Sequence, residues 1–367
     1  MINNVSFPKI RDGIDVYIEN DNILIFVYLS SRKRIRLKAN EIYIKLLEKM
    51  NGENSFKKLK YFFDNESDLS DKSFNKFVNY LFEKSIIVNC DWLEKIKLPT
   101  NYKNRLEKQF NFLLDVTFDT NLVEKVQSKI YDSQIAVLGI GSVGSWIIRE
   151  LVMMGFMNFL IIDGDVVEKS DAARHAFFNR NYIGEKKVEL VKDELLRLNS
   201  KIKVDCLENY LSKEDNVNDI LSNSDFIINT ADEPYIGYSS LKLSRYCVDK
   251  NKPLLVAGGF DAHLGCIGEL IIPGKSPCSD CYNNYFTEAL KDWKPFSHPV
   301  KDRRSSFGGL PSLTAFSASA ASMKILKYFM DSKQEVENGR GELLFDDYYL
   351  DKFFVKKDKN CSVCGDL

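Results

Sequence analysis

The sequence predicts a two-domain α/β protein: a doubly wound, mostly parallel sheet with antiparallel strands towards its C-terminal end, preceded by a small α+β domain. Three observations carry this. From residue 134 onward short apolar runs alternate with helical patterns, whereas residues 13–90 place their β-rich runs first and their helices afterwards. The stretch "AVLGIGSVGSW", residues 136–146, sets Gly139, Gly141 and Gly144 between a strand-like and a helix-like segment. Alternation specifies parallel strands joined by crossover helices, and strands followed by helices mark a separate unit. A chain of 367 residues is long enough for both.

The first domain is expected over residues 1–95. "GIDVYIE", "NILIFVYLS" and "RIRLK" read as strands, and "ANEIYIKLLEKM", "SFKKLKYFFDN" and "SDKSFNKFVNYLFEKS" as helices, an order like that of a winged helix; "IIVN" is a candidate fourth strand. A DNA-binding module and a packing appendage are the competing roles. The third helix mixes Asp71, Lys72, Lys76 and Glu83 where a base-reading helix would be basic, and 51 Lys and Arg against 52 Asp and Glu argue against a polyanion binder. No nucleic-acid partner is therefore expected. Residues 96–130, including "YKNRLEKQFNFLLD", read as a helical connector.

The second domain is expected over residues 131–367. Its strands are "QIAVLGI", "NFLIID", "KVDCLE", "DFIINT" and "PLLVAGG", separated by helices at 142–155 and near "EKKVELVKDELLRLN", "KEDNVNDILSN" and "SSLKLSRYCVDKN". "LGCIGELIIP", a loop-rich stretch, an Ala/Ser-rich helix near 311–330 and the β-rich "GELLFDDYYLDKFFVKK" complete it.

The glycine turn occupies the context in which such a turn binds phosphate: a strand before, a helix after, and Asp163 at the end of the next strand. Its N–H groups and the helix start would take phosphate oxygens, and Asp163 the ribose hydroxyls. These residues alone indicate a nucleotide in a Rossmann-like domain, and leave a dinucleotide cofactor and ATP both open. The segment "IIDGDVVEKSDAARHAFFNRNYIGEKKVELVK" favours ATP, because it sets Asp165, Arg174, Lys186 and Lys187 near the nucleotide edge. A later strand ends in "NTADEP", with Asp232 at its tip. Hydride transfer has no need of this set. Splitting ATP needs cations to neutralise a triphosphate and a carboxylate to hold Mg²⁺.

Of eight cysteines, four fall in two Cys-x-x-Cys pairs about 80 residues apart: Cys278 and Cys281, then Cys361 and Cys364. That is the ligand count and spacing of a closed tetrahedral Zn²⁺ site, which would staple the C-terminal tail to the domain. A redox dithiol would explain either pair but not the presence of both. Cys90, Cys206, Cys247 and Cys266 are scattered and read as structural thiols. The start "MINNVSFPKIRDGIDVY" lacks the apolar core of a secretory signal, and no stretch has the length of a membrane span. A cytoplasmic protein without a membrane partner is expected.

Together the residues from 134 onward resemble the adenylating superfamily of ubiquitin-activating enzymes and the thiamin and molybdopterin sulfur-carrier activators. The resemblance places Gly139, Gly141 and Gly144 on the phosphate loop, Asp163 on the ribose ligand, Arg174 and Lys187 on the catalytic cations, and Asp232 on the magnesium carboxylate. It implies that a substrate carboxylate attacks the α-phosphate of ATP, giving an acyl-adenylate and pyrophosphate. Asp171 stands where the family pattern has Asn. The family also donates an arginine across a dimer interface, for which Arg105, with Lys108 beside it, is the nearest match. No cysteine lies in residues 282–360, so the thioester or persulfide step of some relatives is not expected.

With its N-terminal module the architecture is similar to the peptide adenylyltransferases of microcin C-type biosynthesis. That similarity implies a short ribosomal precursor peptide as partner, a homodimer, one structural Zn²⁺ per chain, and Mg²⁺ with the ATP. In such enzymes the peptide adds to a sheet edge, here the strand in "SSRKRIRLK". A crossover loop in "FTEALKDWKPFSHPVKDRRSSFGGLPS" would cover the acceptor, offering Trp293, His298, Arg303 and Arg304 to hold a peptide carboxylate, with Gly308 and Gly309 permitting movement. The alternatives are a sulfur-carrier or ubiquitin-like-protein activator, and a non-catalytic peptide scaffold serving a separate ATP-using enzyme.

Overall fold

The computed structural model describes residues 7–19, 22–232, 235–258, 264–294, 309–330 and 339–366. They divide into two compact units, Met1–Ser128 and Lys129–Leu367.

The first unit opens with β1 (Pro8–Ile10), β2 (Ile14–Glu19), β3 (Ile23–Tyr28) and β4 (Arg34–Lys38), then α1 (Glu41–Glu48), α2 (Phe56–Glu66) and α3 (Asp71–Glu83). The central strand β3 pairs antiparallel with both β2 and β4, leaving β4 on an edge, as is β2. Along β4 the exposed Arg34, Arg36 and Lys38 alternate with the partly buried Ile35 and Leu37, the period-2 pattern of a half-covered sheet. The helices turn Leu46, Leu47, Phe63, Phe74, Phe77 and Leu81 onto Leu24 and Phe26. Burying each such side chain contributes about 1.5–3 kcal/mol.

"IIVN" forms β5 (Ile87–Asn89), but β5 pairs antiparallel with β1 rather than with the three-stranded sheet. β1 was not expected, because three residues carry no usable periodicity. Three helices follow: α4 (Thr100–Arg105), α5 (Glu107–Thr117) and α6 (Thr120–Asp132).

The second unit is built on β6 (Gln134–Leu138), α7 (Ser142–Met154), β7 (Asn158–Ile162), α8 (Lys187–Leu198), β8 (Lys203–Leu207), α9 (Val217–Leu221), β9 (Phe226–Asn229), α10 (Ile236–Asp249) and β10 (Leu254–Val256). The remaining elements are β11 (Gly265–Cys266), β12 (Glu269–Ile271), α11 (Ser279–Ala289), α12 (Pro311–Met330), β13 (Gly339–Leu343) and β14 (Leu350–Phe354). The main sheet runs β12-β10-β9-β6-β7-β8, parallel except for β12, and the smaller antiparallel sheet β11-β13-β14 lies apart from it in pairing. All four residues of β9 are buried, as covering both faces of a parallel sheet requires. The fold class is therefore the expected one. α11 falls in the stretch read as loop-rich; it starts from Cys278 as its cap, with Asp280 in its first turn.

On the main sheet, order reverses at β6, with β9 on one side and β7 on the other. Ligands of open α/β sheets bind beyond the strand ends at such a switch point.

Candidate active site

The glycine turn leaves β6 and enters α7, and its three glycines answer three different constraints. Gly139 adopts φ 80°, and a Cβ there would lie 2.6 Å from the Ala231 nitrogen. A Cβ on Gly144 would sit 2.1 Å from the Gly139 carbonyl oxygen, so this position lets α7 close against the turn. Gly141, the residue capping α7, meets nothing within 4 Å. It lines an open cleft of about 1230 Å³. Ligand pockets usually span about 300–1000 Å³, so this one has room for a nucleotide and part of a second substrate.

The turn is braced from below. Asp163, just past β7, accepts from the Ile140 N–H at 2.7 Å through one carboxylate oxygen and from the Asp165 N–H at 2.8 Å through the other. Burial pushes the Asp163 carboxyl above its ordinary range, against those two backbone bonds and the nearby Lys187. The Ile140 carbonyl is held in turn by His175, whose Nε2–H donates to it at 2.7 Å while Nδ1 accepts from the Phe177 N–H at 3.3 Å. His175 also stacks on Phe178 at 3.5 Å. Sequence reasoning passed over His175, since its partner is 35 positions away in the chain.

Burial lowers the His175 pKa to about 4 despite the bond to Ile140, so the ring is neutral at neutral pH. A neutral buried His must gain a proton on acidification, and the unfolded chain, at about 6.5, gains it first. This contribution to stability is present above about pH 6.5 and is lost as pH falls towards 4. We expect His175→Gln, which keeps a donor towards Ile140, to flatten the fall in thermal midpoint between pH 6.5 and 4.5; an unchanged slope in pH-series melting curves would refute this.

The cations meet acids on the cleft wall. Lys187, 6 % exposed, donates to Asp165 at 3.0 Å and lies 3.6 Å from Asp171. Burial opposes its charge, but the Asp165 bond and the charges of Asp171 and Asp163 raise its pKa overall. Asp165 also accepts from the Tyr210 hydroxyl. Burial would raise the Asp165 carboxyl, yet the bonds to Tyr210 and Lys187 hold it below its usual range. Asp171, 1 % exposed, accepts from the Glu168 N–H at 3.0 Å and from Arg174 at 3.4 Å. The acid standing at the family's Asn position thus touches both cations. Lys186, in contrast, pairs with Glu208 and does not line the cleft.

Asp232 is exposed beyond the end of β9 and also lines the cleft. Its loop is anchored on both sides. Buried Asn229 donates to Ser239 at 2.9 Å and Ser240 at 3.1 Å and accepts from the Ala231 N–H at 3.3 Å. The Thr230 hydroxyl reaches back to the Gly139 carbonyl.

Gly139, Gly141, Gly144, Asp163, Asp165, Asp171, Arg174, Lys187 and Asp232 all border this one cleft. Other expected residues lie elsewhere. Arg105 ends α4 in the first unit, its guanidinium 5.8 Å from the Tyr102 ring. Trp293 is exposed and Gly309 borders the cleft, while His298, Arg303, Arg304 and Gly308 fall outside the described residues. Cys266 does reach the cleft wall, but burial raises its thiol pKa, the wrong direction for a nucleophile.

The four paired cysteines converge in the core beside Leu138, Ile162 and Ile227. Their sulfurs are all within 4.8 Å of one another, with Cys278–Cys361 at 3.7 Å and Cys281–Cys364 at 3.5 Å. An ion bonded tetrahedrally to sulfurs at about 2.3 Å separates them by about 3.8 Å, so the group fits a metal. Among the described residues no other cluster of three or more His, Cys, Asp or Glu does so. No helix among them is long and apolar enough to cross a membrane.

The ThiF family matches residues 116–363. The protein HesA (vegetative) of Trichormus variabilis is 26 % identical over 247 residues, covering 66 % of this chain and 84 % of that one. The Arabidopsis thaliana adenylyltransferase and sulfurtransferase MOCS3 is 34 % identical over 157 residues, 42 % of this chain and 32 % of that protein. A crystal structure of E. coli MccB with AMPCPP and MccA shares the fold at a TM-score of 0.71, with 19 % identity over 98 % of this chain and 99 % of that chain. The chain belongs to the ThiF family and is, like the family's other members, an ATP-dependent adenylyltransferase.

Proposed function

We propose that the enzyme adenylates a carboxylate of a short ribosomally made peptide, most simply its C-terminal one. The observation that carries this is a single cleft that gathers the glycine turn, Asp163, Arg174, Lys187 and Asp232 and continues past them with room for an acceptor. The acceptor carboxylate oxygen attacks the α-phosphorus of ATP, a P–O bond forms, and the bond to the β-phosphate oxygen breaks to release pyrophosphate. Lys187 and Arg174 take up the charge that develops on the phosphates, and being fixed beforehand by Asp165 and Asp171 they need little reorganisation. Asp163 accepts from the ribose through lone pairs its backbone bonds leave open. Asp232 would hold Mg²⁺ with the phosphates, and Cys278, Cys281, Cys361 and Cys364 a structural Zn²⁺. A homodimer supplying Arg105 in trans completes the proposal.

The peptide is supported by the first unit. Among the described residues no strand pairs with the outer edge of β4, which carries the side chains Arg34, Arg36 and Lys38. An extended peptide gains main-chain bonds on such an edge. Two of the MccB structures of the same fold are complexes with MccA. A carrier-protein activator, favoured by the match to MOCS3, is the second reading.

Isotope exchange between pyrophosphate and ATP, with short peptides or with a folded carrier ending in Gly-Gly as acceptor, separates the two. Exchange stimulated by the carrier alone, or by neither, sinks the peptide proposal. Asp232→Ala is expected to lower exchange at least about a hundredfold while leaving the metal content of the chain unchanged. Undiminished exchange would remove Asp232 from the site.

A further inference from the structure

The cleft has a second charged end that the adenylation chemistry does not use. Glu269 lies on β12, three strands from β6 in the sheet order. At ordinary strand spacing that is about 14 Å from the glycine turn. Glu269 is 7 % exposed and accepts from Arg340 Nη1 at 2.6 Å. Both residues border the cleft.

Arg340 is unusually fixed. Its guanidinium lies 5.3 Å from the Phe286 ring and 6.0 Å from the Phe353 ring. The strand carrying it is tied down next door, where Lys324 donates to the Gly268 carbonyl at 2.6 Å and the Gly339 carbonyl at 2.9 Å. Its side chain keeps 17 % exposure, and Nη2 lies 3.9 Å from Glu342, beyond hydrogen-bond reach. Glu269 therefore uses only part of a five-donor fork. Burying a charged pair is costly, and an apolar pair would tether β12 to β13 at least as well. A rigid guanidinium with donors to spare in a cleft wall is the arrangement that reads a carboxylate in two-point fashion.

We propose that Arg340, backed by Glu269, is a binding subsite for an acidic side chain of the second substrate. It selects the acceptor by a carboxylate distinct from the one that attacks ATP. Tyr282 and Asn283 also line this cleft. The subsite rests on the proposal that a carboxylate-bearing acceptor enters this cleft.

The full chain, loaded with a non-hydrolysable ATP analogue, is titrated with the synthetic tripeptides Ala-Ala-Glu and Ala-Ala-Gln. The wild type is expected to bind the glutamate peptide about tenfold more tightly, the size of a charge-assisted bond. Arg340→Met is expected to erase that preference without changing affinity for the analogue. Because this substitution strands Glu269, the paired variant Arg340→Met, Glu269→Gln is measured too, with melting curves to confirm folding, and the same loss is expected. No preference in the wild type, no binding of either peptide, or a preference that survives both variants overturns the subsite. Failure of the adenylation proposal reads out separately, as absence of pyrophosphate exchange with any peptide while the tripeptides are still discriminated.

Discussion

Lys187→Met is expected to lower ATP–pyrophosphate exchange by a factor of about 10²–10³, the usual effect of removing one preorganised donor from a transition state. It is also expected to destabilise the protein before any nucleotide is added. Lys187 faces Asp165 at 3.0 Å and Asp171 at 3.6 Å, and it is also part of the field around Asp163. Asp163 and Asp171 are 8 % and 1 % exposed. Taking away their common cation leaves the two buried carboxylates with their hydrogen bonds but with less opposing charge, at a cost of up to about 3–5 kcal/mol.

The pH dependence identifies the cause. Burial already raises the Asp163 carboxyl, and loss of Lys187 raises it further, so acid neutralises the group and relieves the strain. The gap in thermal midpoint between wild type and variant should narrow from pH 7 to pH 5. A gap that widens, or exchange that survives at a temperature where the variant is folded, would show that Lys187 has been misassigned. Asp171→Asn should act in the opposite direction on nucleotide binding. It removes a negative charge within 3.4 Å of Arg174 and 3.6 Å of Lys187, and should tighten binding of an ATP analogue about fivefold by titration. Weaker binding would mean that Asp171 matters more for holding the two cations than for the charge it carries.

The parts of this site that were legible in the sequence are those written in local pattern. The glycine turn, the acid after the next strand and the Arg174 and Lys187 spacing each occupy a short stretch, and their strand or helix context is set by neighbours. Pairings between distant segments were not legible. Asp163 reaches the Ile140 N–H only because β7 lies beside β6, and His175 reaches the Ile140 carbonyl only because the loop after β7 folds back over the turn. The Arg340–Glu269 pair joins strands 71 positions apart. Single-sequence reasoning also treated the three glycines as one phosphate cradle, whereas Gly139 and Gly144, though they too border the cleft, are dictated by close backbone approach, and only at Gly141 would a Cβ meet open space. In the first unit, β1 and β5 are too short for their period to show, so their pairing is a tertiary outcome.

Removing the sulfur group should have the largest effect on stability, and its position shows why. Cys278, Cys281, Cys361 and Cys364 belong to the same buried cluster as Leu138, Ile162, Ile227 and Leu254, on one face of the main sheet. The tail that supplies Cys361 and Cys364 has little regular structure after β14, so the sulfurs are its principal anchor. Cys278 also caps α11, the helix that brings Tyr282, Asn283 and Phe286 to the cleft. The double variant Cys361→Ser, Cys364→Ser should therefore lose its bound metal and, at a cost of about 5 kcal/mol or more, its thermal midpoint should fall by about 10–20 °C. Limited proteolysis should then cut the tail first. Exchange should fail through the α11 wall before nucleotide binding is lost, because the glycine turn is braced by β6, β7 and β9 rather than by the tail. Metal analysis of the purified chain decides the assignment: one Zn²⁺ per chain in the wild type and none in the variant is the expected pair of results. A variant that keeps its metal, or an unshifted midpoint, would show that the four sulfurs do not hold it.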